Sequence, residues 1–142
     1  MSPDAISIAG LVAVLLPTLY FLISSPTFLL AKFEDPIVTK LFRDLLSFHF
    51  KLVGIGSILG VSALGFAGRP VFAVGLAVVG TLAIAARRWF VQRMENEMQA
   101  RDTGDAQAVH RLRELHWRGM AYNATQFIAL VAIIPFAFAS PV

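Results

Sequence analysis

Two histidines set among apolar neighbours, His49 and His116, are the side chains of this chain best suited to chemistry. Imidazole ligates haem iron and transition metals through a ring nitrogen. Counted inward from the basic flanks, both fall at similar depth on different helices, so a haem b or metal ion held between them is one expectation. No third strong ligand accompanies them. The richest polar cluster is Leu115-His116-Trp117-Arg118-Gly119-Met120-Ala121-Tyr122-Asn123-Ala124-Thr125-Gln126-Phe127. His116 and Asn123 are seven apart, about two turns, and share a helix face with Gly119 and Met120 between them. Polar groups inside hydrocarbon are expensive and therefore have a reason to be there. The plainer reason is that these groups hydrogen-bond the second and last helices together, each bond contributing about 0.6–2 kcal/mol and fixing register. That plainer reading outweighs the ligand reading, and with it no cofactor is expected.

Catalysis needs a nucleophile, an acid–base pair or a cofactor cradle. The chain has no Ser–His–Asp spacing, no glycine-rich phosphate loop and no pair of carboxylates inside an apolar segment. Asp44 is the acid nearest the second span, and Lys40 or Arg43 can neutralise it. Cysteine is absent, which excludes disulfides, thiolate metal sites and a cysteine nucleophile. A proton or ion path usually shows a buried carboxylate. Spans one, three and four contain none, so a self-sufficient transporter is not expected.

What positions these residues is a set of apolar segments. Of 142 residues 57% are hydrophobic and 15% charged, and the mean hydropathy is +0.71. Soluble domains are nearer ~45–50% apolar and ~25% charged. The balance excludes an ordinary soluble enzyme, a disordered chain and a free nucleic-acid-binding module, so despite the +3 net charge no nucleic-acid partner is expected. The fold class expected is all-α: an integral membrane four-helix bundle, one transmembrane domain over 1–142, with helical cytoplasmic extensions. A spanning helix needs about 20 apolar residues, and 6–31, 52–67, 70–86 and 119–138 qualify. The segment before the first run, Met1-Ser2-Pro3-Asp4, lacks the Lys or Arg of a cleavable signal, so that run reads as a retained span.

Eleven of the twelve basic residues fall in two connecting segments, with Arg69 alone on the other side. Basic loops stay in the cytoplasm. The expected location is the bacterial inner (cytoplasmic) membrane, multi-pass, with N- and C-termini on the periplasmic side. Pro17 and Pro26 predict a kink in the first span, or an early end near Ser24-Ser25-Pro26. Asp35-Pro36 reads as a capped helix start, with no breaker before Gly54, which predicts one helix from Pro36 to about Ala67. Lys40 with Asp44, Arg93 with Glu97, and His110 with Glu114 are four-apart pairs. Gly104 and Asp105 stop one helix and cap the next, which runs from about Ala106. The segment 87–118 is then a cytoplasmic stalk built from extensions of the third and fourth helices, projecting roughly 20 Å.

Gly56 and Gly60, with Gly54 and Gly65, form a small-residue face on the second helix. Ala73, Ala77, Thr81 and Ala85 form another on the third, and the two are expected to pack together. A dimer or a contact with another subunit is the alternative use of Gly56 and Gly60. Arg87, Arg88 and Trp89, with Arg111, Arg113 and Arg118, suit anionic lipid head groups or a partner, although neighbouring acids dilute that field.

The Leu115–Phe127 run, with Leu41-Phe42-Arg43-Asp44 before an aromatic-rich segment, resembles the last and second helices of the TMEM-two-hundred-five-like four-span membrane proteins, a family of undefined function. Those proteins share the Leu-His step and an Asn on that helix, while Gly119 here stands where a Ser is common. The resemblance implies that His116 and Asn123 matter and implies no defined activity. Arg118, Asn123 and Gln126 are compared also with the Arg…Asn…Glu signature of small four-span glutathione-transferase-like enzymes, from which they depart in spacing, span and the missing acid.

The function expected is that of a non-enzymatic inner-membrane protein, an accessory or stabilising subunit of a larger membrane complex. Its expected partners are the lipid bilayer and other membrane subunits, with Asn123, Gln126, Gly56, Gly60, Arg87, Arg88 and Trp89 as packing or contact residues. The alternatives are a haem- or metal-binding redox protein using His49 and His116, and a membrane enzyme acting on a lipophilic substrate.

Overall fold

The computed structural model describes residues 3–138, and the chain ends that the orientation reading places outside the cytoplasm, Met1, Ser2 and 139–142, lie outside the described residues. Four long helices follow one another: α1 (Pro3–Ser24), α2 (Pro36–Phe66), α3 (Pro70–Asp102) and α4 (Ala108–Phe138). No strand occurs among the described residues. α1 ends where Ser24-Ser25-Pro26 predicted, and a 3-10 segment, Ser25–Leu30, leads away from it. Asp35 caps α2 by accepting from the Ile37 amide at 2.8 Å, with Pro36 as first helical residue.

α2 and α3 end in the same way. Gly68 and Gly104 take φ of +73° and +97°. The next amide reaches back five residues, Arg69 to the Leu64 carbonyl at 2.8 Å and Asp105 to that of Ala100 at 3.0 Å. This is the Schellman closure, which only glycine enters without strain. Asp105 then caps α4 through the Gln107 amide at 2.9 Å, so the helix begins two residues later than Ala106.

α1 packs on α2, α2 on α3, α3 on α4 and α4 on α1, leaving α2 and α4 diagonal and parallel. Phe42, Leu46, Phe50 and Val53 of α2 fill the middle, with Phe21, Met94, Leu112 and Leu130 from the other helices. Three helices are long and apolar enough to cross a membrane: Asp4–Phe28, Pro36–Phe66 and Pro70–Asp102. The fourth expected span lies in α4, which is not among these three over its described residues.

The glycine faces meet other partners than expected. A Cβ on Gly56 would strike the Ala13 carbonyl of α1, and one on Gly60 would sit 3.0 Å from the Gly10 oxygen and 2.7 Å from Leu76 Cδ2. Gly56 therefore serves α1, and Gly60 lies between α1 and α3. On α3 the buried line is Ala73, Leu76, Gly80, Ala83, Phe90, Met94 and Glu97, whereas Ala77, Thr81 and Ala85 are exposed. Steps of four overshoot a helical turn by about 40° each, so a four-spaced row winds off the contact; alternating steps of three and four stay on it.

Of the expected ion pairs one forms, one does not, and Asp44 takes the second of its two expected partners. Asp44 binds Arg43 at 2.7 Å rather than Lys40, because Arg43 is already fixed by Glu95 of α3. Glu114 binds Arg118 at 2.5 Å rather than His110. Arg93 does reach Glu97, at 3.7 Å, but Arg111 of α4 holds that carboxylate more closely, at 2.6 Å. The polar end is thus a three-helix body and not a two-helix stalk, since α2 joins it through Arg43–Glu95 and through Arg101, which donates to Thr39 Oγ1 at 2.6 Å.

Candidate functional site in the bundle interior

The polar centre of the bundle is organised by Pro17. Proline has no amide hydrogen, so the Ala13 carbonyl one turn earlier loses its helical donor. That carbonyl faces Gly56, whose missing side chain leaves a Cα hydrogen pointing at it, a weak C–H···O contact. Two carbonyls of α1, those of Pro17 and Thr18, accept side chains from the other helices. His49 Nδ1 donates to the Pro17 oxygen at 3.2 Å, and Asn123 Nδ2 donates to the Thr18 oxygen at 2.9 Å. A carbonyl can only accept, so the neutral His49 ring carries its proton on Nδ1 and presents a lone pair at Nε2. The ring stacks on Phe21, centroids 4.4 Å apart, with Asn123 beside it. Helices α2 and α4, diagonal in the bundle, are thereby tied to adjacent residues of α1.

His116 occupies a different place. It is fully buried, ringed by Phe42 at 4.5 Å, Phe33 at 5.8 Å and Phe28 at 6.5 Å, and neither ring nitrogen has a partner. Phe42 precedes His49 by seven residues and His116 precedes Asn123 by seven. On parallel helices the two imidazoles are therefore about 10 Å apart along the bundle, in separate aromatic cages. The structure brings His49 together with Asn123, and His116 with phenylalanines only. Among the described residues no three His, Asp or Glu side chains converge as a metal site would require.

One turn beyond Asn123, Gln126 is 8% exposed, and neither its Oε1 nor its Nε2 has a hydrogen-bond partner. It lines a cleft of about 400 Å³ between α3 and α4, whose other walls include Val79, Leu82, Tyr122, Thr125 and Ala129. A smaller cleft of about 220 Å³ continues from Val79 towards Val71 and Ile133. Of the basic cluster, Arg87 is engaged inside the protein, donating to Ser47 Oγ of α2 at 3.1 Å. Arg88 is exposed. Trp89 is half exposed and edge-on to Phe90 at 4.8 Å.

Sequence reasoning found His49, His116, Asn123 and Gln126 but not the α1 carbonyls that accept from His49 and Asn123. It named Glu97 as the partner of Arg93 but missed that the carboxylate is buried, 7% exposed, and held by Arg111, although the three-and-four spacing of α3 runs straight into it. No protein-family model matches the chain, and no characterised protein or solved structure is significantly similar to it.

Proposed function

We propose that this chain spans the bacterial inner membrane four times and acts without chemistry of its own, as an accessory subunit that stabilises a larger membrane assembly. Its surface supports the membrane setting: Ile8, Leu16, Ile23, Ile55, Ile58, Val74, Leu82 and Ile128 are exposed on all four helices. Gly119 packs beside Leu46 and Phe90, which puts one level across three helices. From that level about 20 residues of each helix remain to the far end, the ~30 Å of a hydrocarbon core. Trp89 and Trp117, about half exposed, sit next to the level where interfacial tryptophans belong. Eight of the twelve basic residues lie beyond it and Arg87 and Arg88 border it, which supports a cytoplasmic location for that end and periplasmic termini.

The observation that carries the accessory reading is the use made of His49 and Asn123. Both are directed to α1 carbonyls, so the two polar groups best placed for function hold the bundle's shape. The outer face is left apolar for lipid and for other subunits. Native mass spectrometry of the protein extracted from its own membrane in mild detergent tests this. A mass above the chain's own 15.5 kDa that matches stoichiometric companion chains is expected, and a chain that leaves the membrane alone under conditions preserving other complexes overturns it.

A second reading has one observation in its favour. The Nε2 lone pair of His49 and the two unpartnered nitrogens of His116 are what a haem or metal would use, one site at a time. A visible absorption band lost in His116→Ala or His49→Ala membranes supports it, and unchanged spectra and metal content remove it.

A further inference from the structure

Most arginines at the basic end of the bundle are taken up by carboxylates. Arg43 holds Asp44 and Glu95, Arg111 holds Glu97 and Asp105, and Arg118 holds Glu114. Lys51, Arg87 and Arg88 differ: among the described residues none of the three has a carboxylate within ion-pair distance. They are also the three basic residues of that end on the hydrocarbon side of the level marked by Leu46, Phe90 and Gly119. Lys51 follows Leu46 by five residues, and Arg87 and Arg88 precede Phe90 by three and two. Each is therefore about 3–7 Å towards the far end. A charge left at the edge of hydrocarbon without a counter-ion is expensive.

The packing of α2 on α3 brings these three together. A Cβ on Gly54 would stand 3.7 Å from Ile84 Cγ1, and Phe50 stacks on Phe90 with ring centroids 5.9 Å apart. Towards the basic end, Arg88 is one turn from Ile84 and Lys51 just under one turn from Gly54. Both are exposed, so they stand at one height on the outer lips of the α2–α3 seam. Arg87 lies in the seam, partly buried, with its Nε donating to Ser47 Oγ at 3.1 Å. That bond fixes the guanidinium and leaves both of its NH₂ groups uncommitted. The acids next along the two helices, Asp44 and Glu95, are seven residues from Lys51 and Arg88 and are both held by Arg43.

A ligand for three cations at this depth must bring negative charge to the hydrocarbon edge and apolar surface beyond it. Further along the same lips Ile58 and Ile84 are exposed. The phosphate of an anionic phospholipid meets both demands. It already lies near that height, its oxygens accept from guanidinium forks and from an ammonium, and its acyl chains continue over the isoleucines. A zwitterionic head adds a fourth cation to three. A water-soluble phosphate has the charge but nothing to carry it past the head groups. A carboxylate on a neighbouring helix has first to be drawn into hydrocarbon.

We infer that the outer seam of α2 and α3 is a binding site for one anionic phospholipid, its phosphate held by Lys51, Arg87 and Arg88 and its chains laid along Ile58 and Ile84. This rests on the membrane-spanning part of the proposed function and not on the accessory role, because binding is read on the isolated chain.

The test titrates the delipidated full chain in mild detergent with dioleoylphosphatidylglycerol and with dioleoylphosphatidylcholine, which share tails and differ in net charge. Native mass spectrometry counts the bound lipids. One phosphatidylglycerol per chain is expected to bind at least about tenfold more tightly than phosphatidylcholine, since each Lys or Arg near the surface favours an anionic lipid by about fivefold. Lys51→Gln and Arg88→Gln are each expected to weaken phosphatidylglycerol by about fivefold and to leave phosphatidylcholine unchanged. Both positions are exposed, so the variants keep the fold. Arg113→Gln removes the same charge from an exposed position on α4, away from the seam, and is expected to change neither affinity. Glycerophosphoglycerol, the same head without tails, is expected not to displace the lipid. Equal retention of the two lipids overturns the site while leaving the spans in place, and retention of neither overturns both. An equal loss in Arg113→Gln would mean a diffuse field rather than a site. Displacement by glycerophosphoglycerol would make it a site for free phosphate. Native extracts in which Lys51→Gln and Arg88→Gln shed a companion chain, with phosphatidylglycerol affinity unchanged, would assign the cations to a protein carboxylate instead.

Discussion

The residues with the sharpest consequences are glycines whose missing side chain makes room for a backbone. Gly56 lies against the Ala13 carbonyl that Pro17 leaves without a donor, so a methyl group there meets backbone that cannot swing aside. Gly65, two turns further along the same helix, has nothing within 4 Å of where a Cβ would stand. Alanine gains about 0.8–1 kcal/mol of helix propensity over glycine at either position. Gly65→Ala keeps that gain and is expected to raise the unfolding midpoint in detergent. Gly56→Ala loses it to overpacking, which typically costs about 1–3 kcal/mol, and is expected to lower the midpoint and loosen α1 from α2. Equal effects of the two substitutions would mean that α1 does not rest on Gly56. The same locality explains which site residues were legible. His49, Asn123 and Gln126 announce themselves as polar residues in apolar surroundings. The α1 carbonyls that accept from His49 and Asn123 do not, because a carbonyl has no letter in the sequence.

Among the elements, the connection between α3 and α4 is set by charge as well as by glycine. Asp105 accepts from the Arg111 guanidinium at 2.6 Å and from the Gln107 amide at 2.9 Å. The Arg111 hydrogen bond, then the amide, holds its carboxyl below the usual carboxylate range. A depressed acid contributes stability above its unfolded pKa and loses it as pH falls through the lower folded one. The first turn of α4 is therefore expected to keep its amide-exchange protection at neutral pH. It should lose part of it only below about pH 4, the ordinary aspartate value. Asp105→Asn, which cannot titrate, should flatten that dependence; a dependence that persists in the variant would place its origin elsewhere. Helix ends such as this one were legible because capping is written within a few residues, as Asp35-Pro36 and Gly104-Asp105 show. Helix faces were not. The seam of α3 alternates three and four, and a reader following small residues at steps of four is carried to Ala77, Thr81 and Ala85 on the outside. The cleft beside Gln126 was beyond reach for a related reason: it depends on how far α4 leans from α3, and no local pattern encodes that.

At the scale of the whole molecule the charges make the strongest statement. The far end of the bundle carries one basic residue, Arg69, tied to Asp4 at 2.5 Å. The near end holds the other eleven, several of them in pairs with Glu95, Glu97, Asp105 and Glu114. Insertion responds to Lys and Arg near the ends of spans, with acids contributing little. The ion pairs therefore do not cancel the signal, and the end bearing Thr103 and Gln107 is expected in the cytoplasm. Native cysteine is absent, so single cysteines report without background. Asp4→Cys and Arg69→Cys each remove one half of an exposed pair, a loss of about 0–1 kcal/mol, and Thr103→Cys and Gln107→Cys replace exposed side chains. An impermeant maleimide added to intact spheroplasts is expected to modify the first two and to reach the second two only after lysis. The opposite pattern would invert the chain in the bilayer. It would also move the basic three-helix body to the outside, where the cytoplasmic surface charge that favours it is absent. Labelling of all four in intact cells would mean that the apolar helices do not form a barrier at all, and would remove the membrane reading on which both the accessory role and the phospholipid site at Lys51 and Arg88 depend.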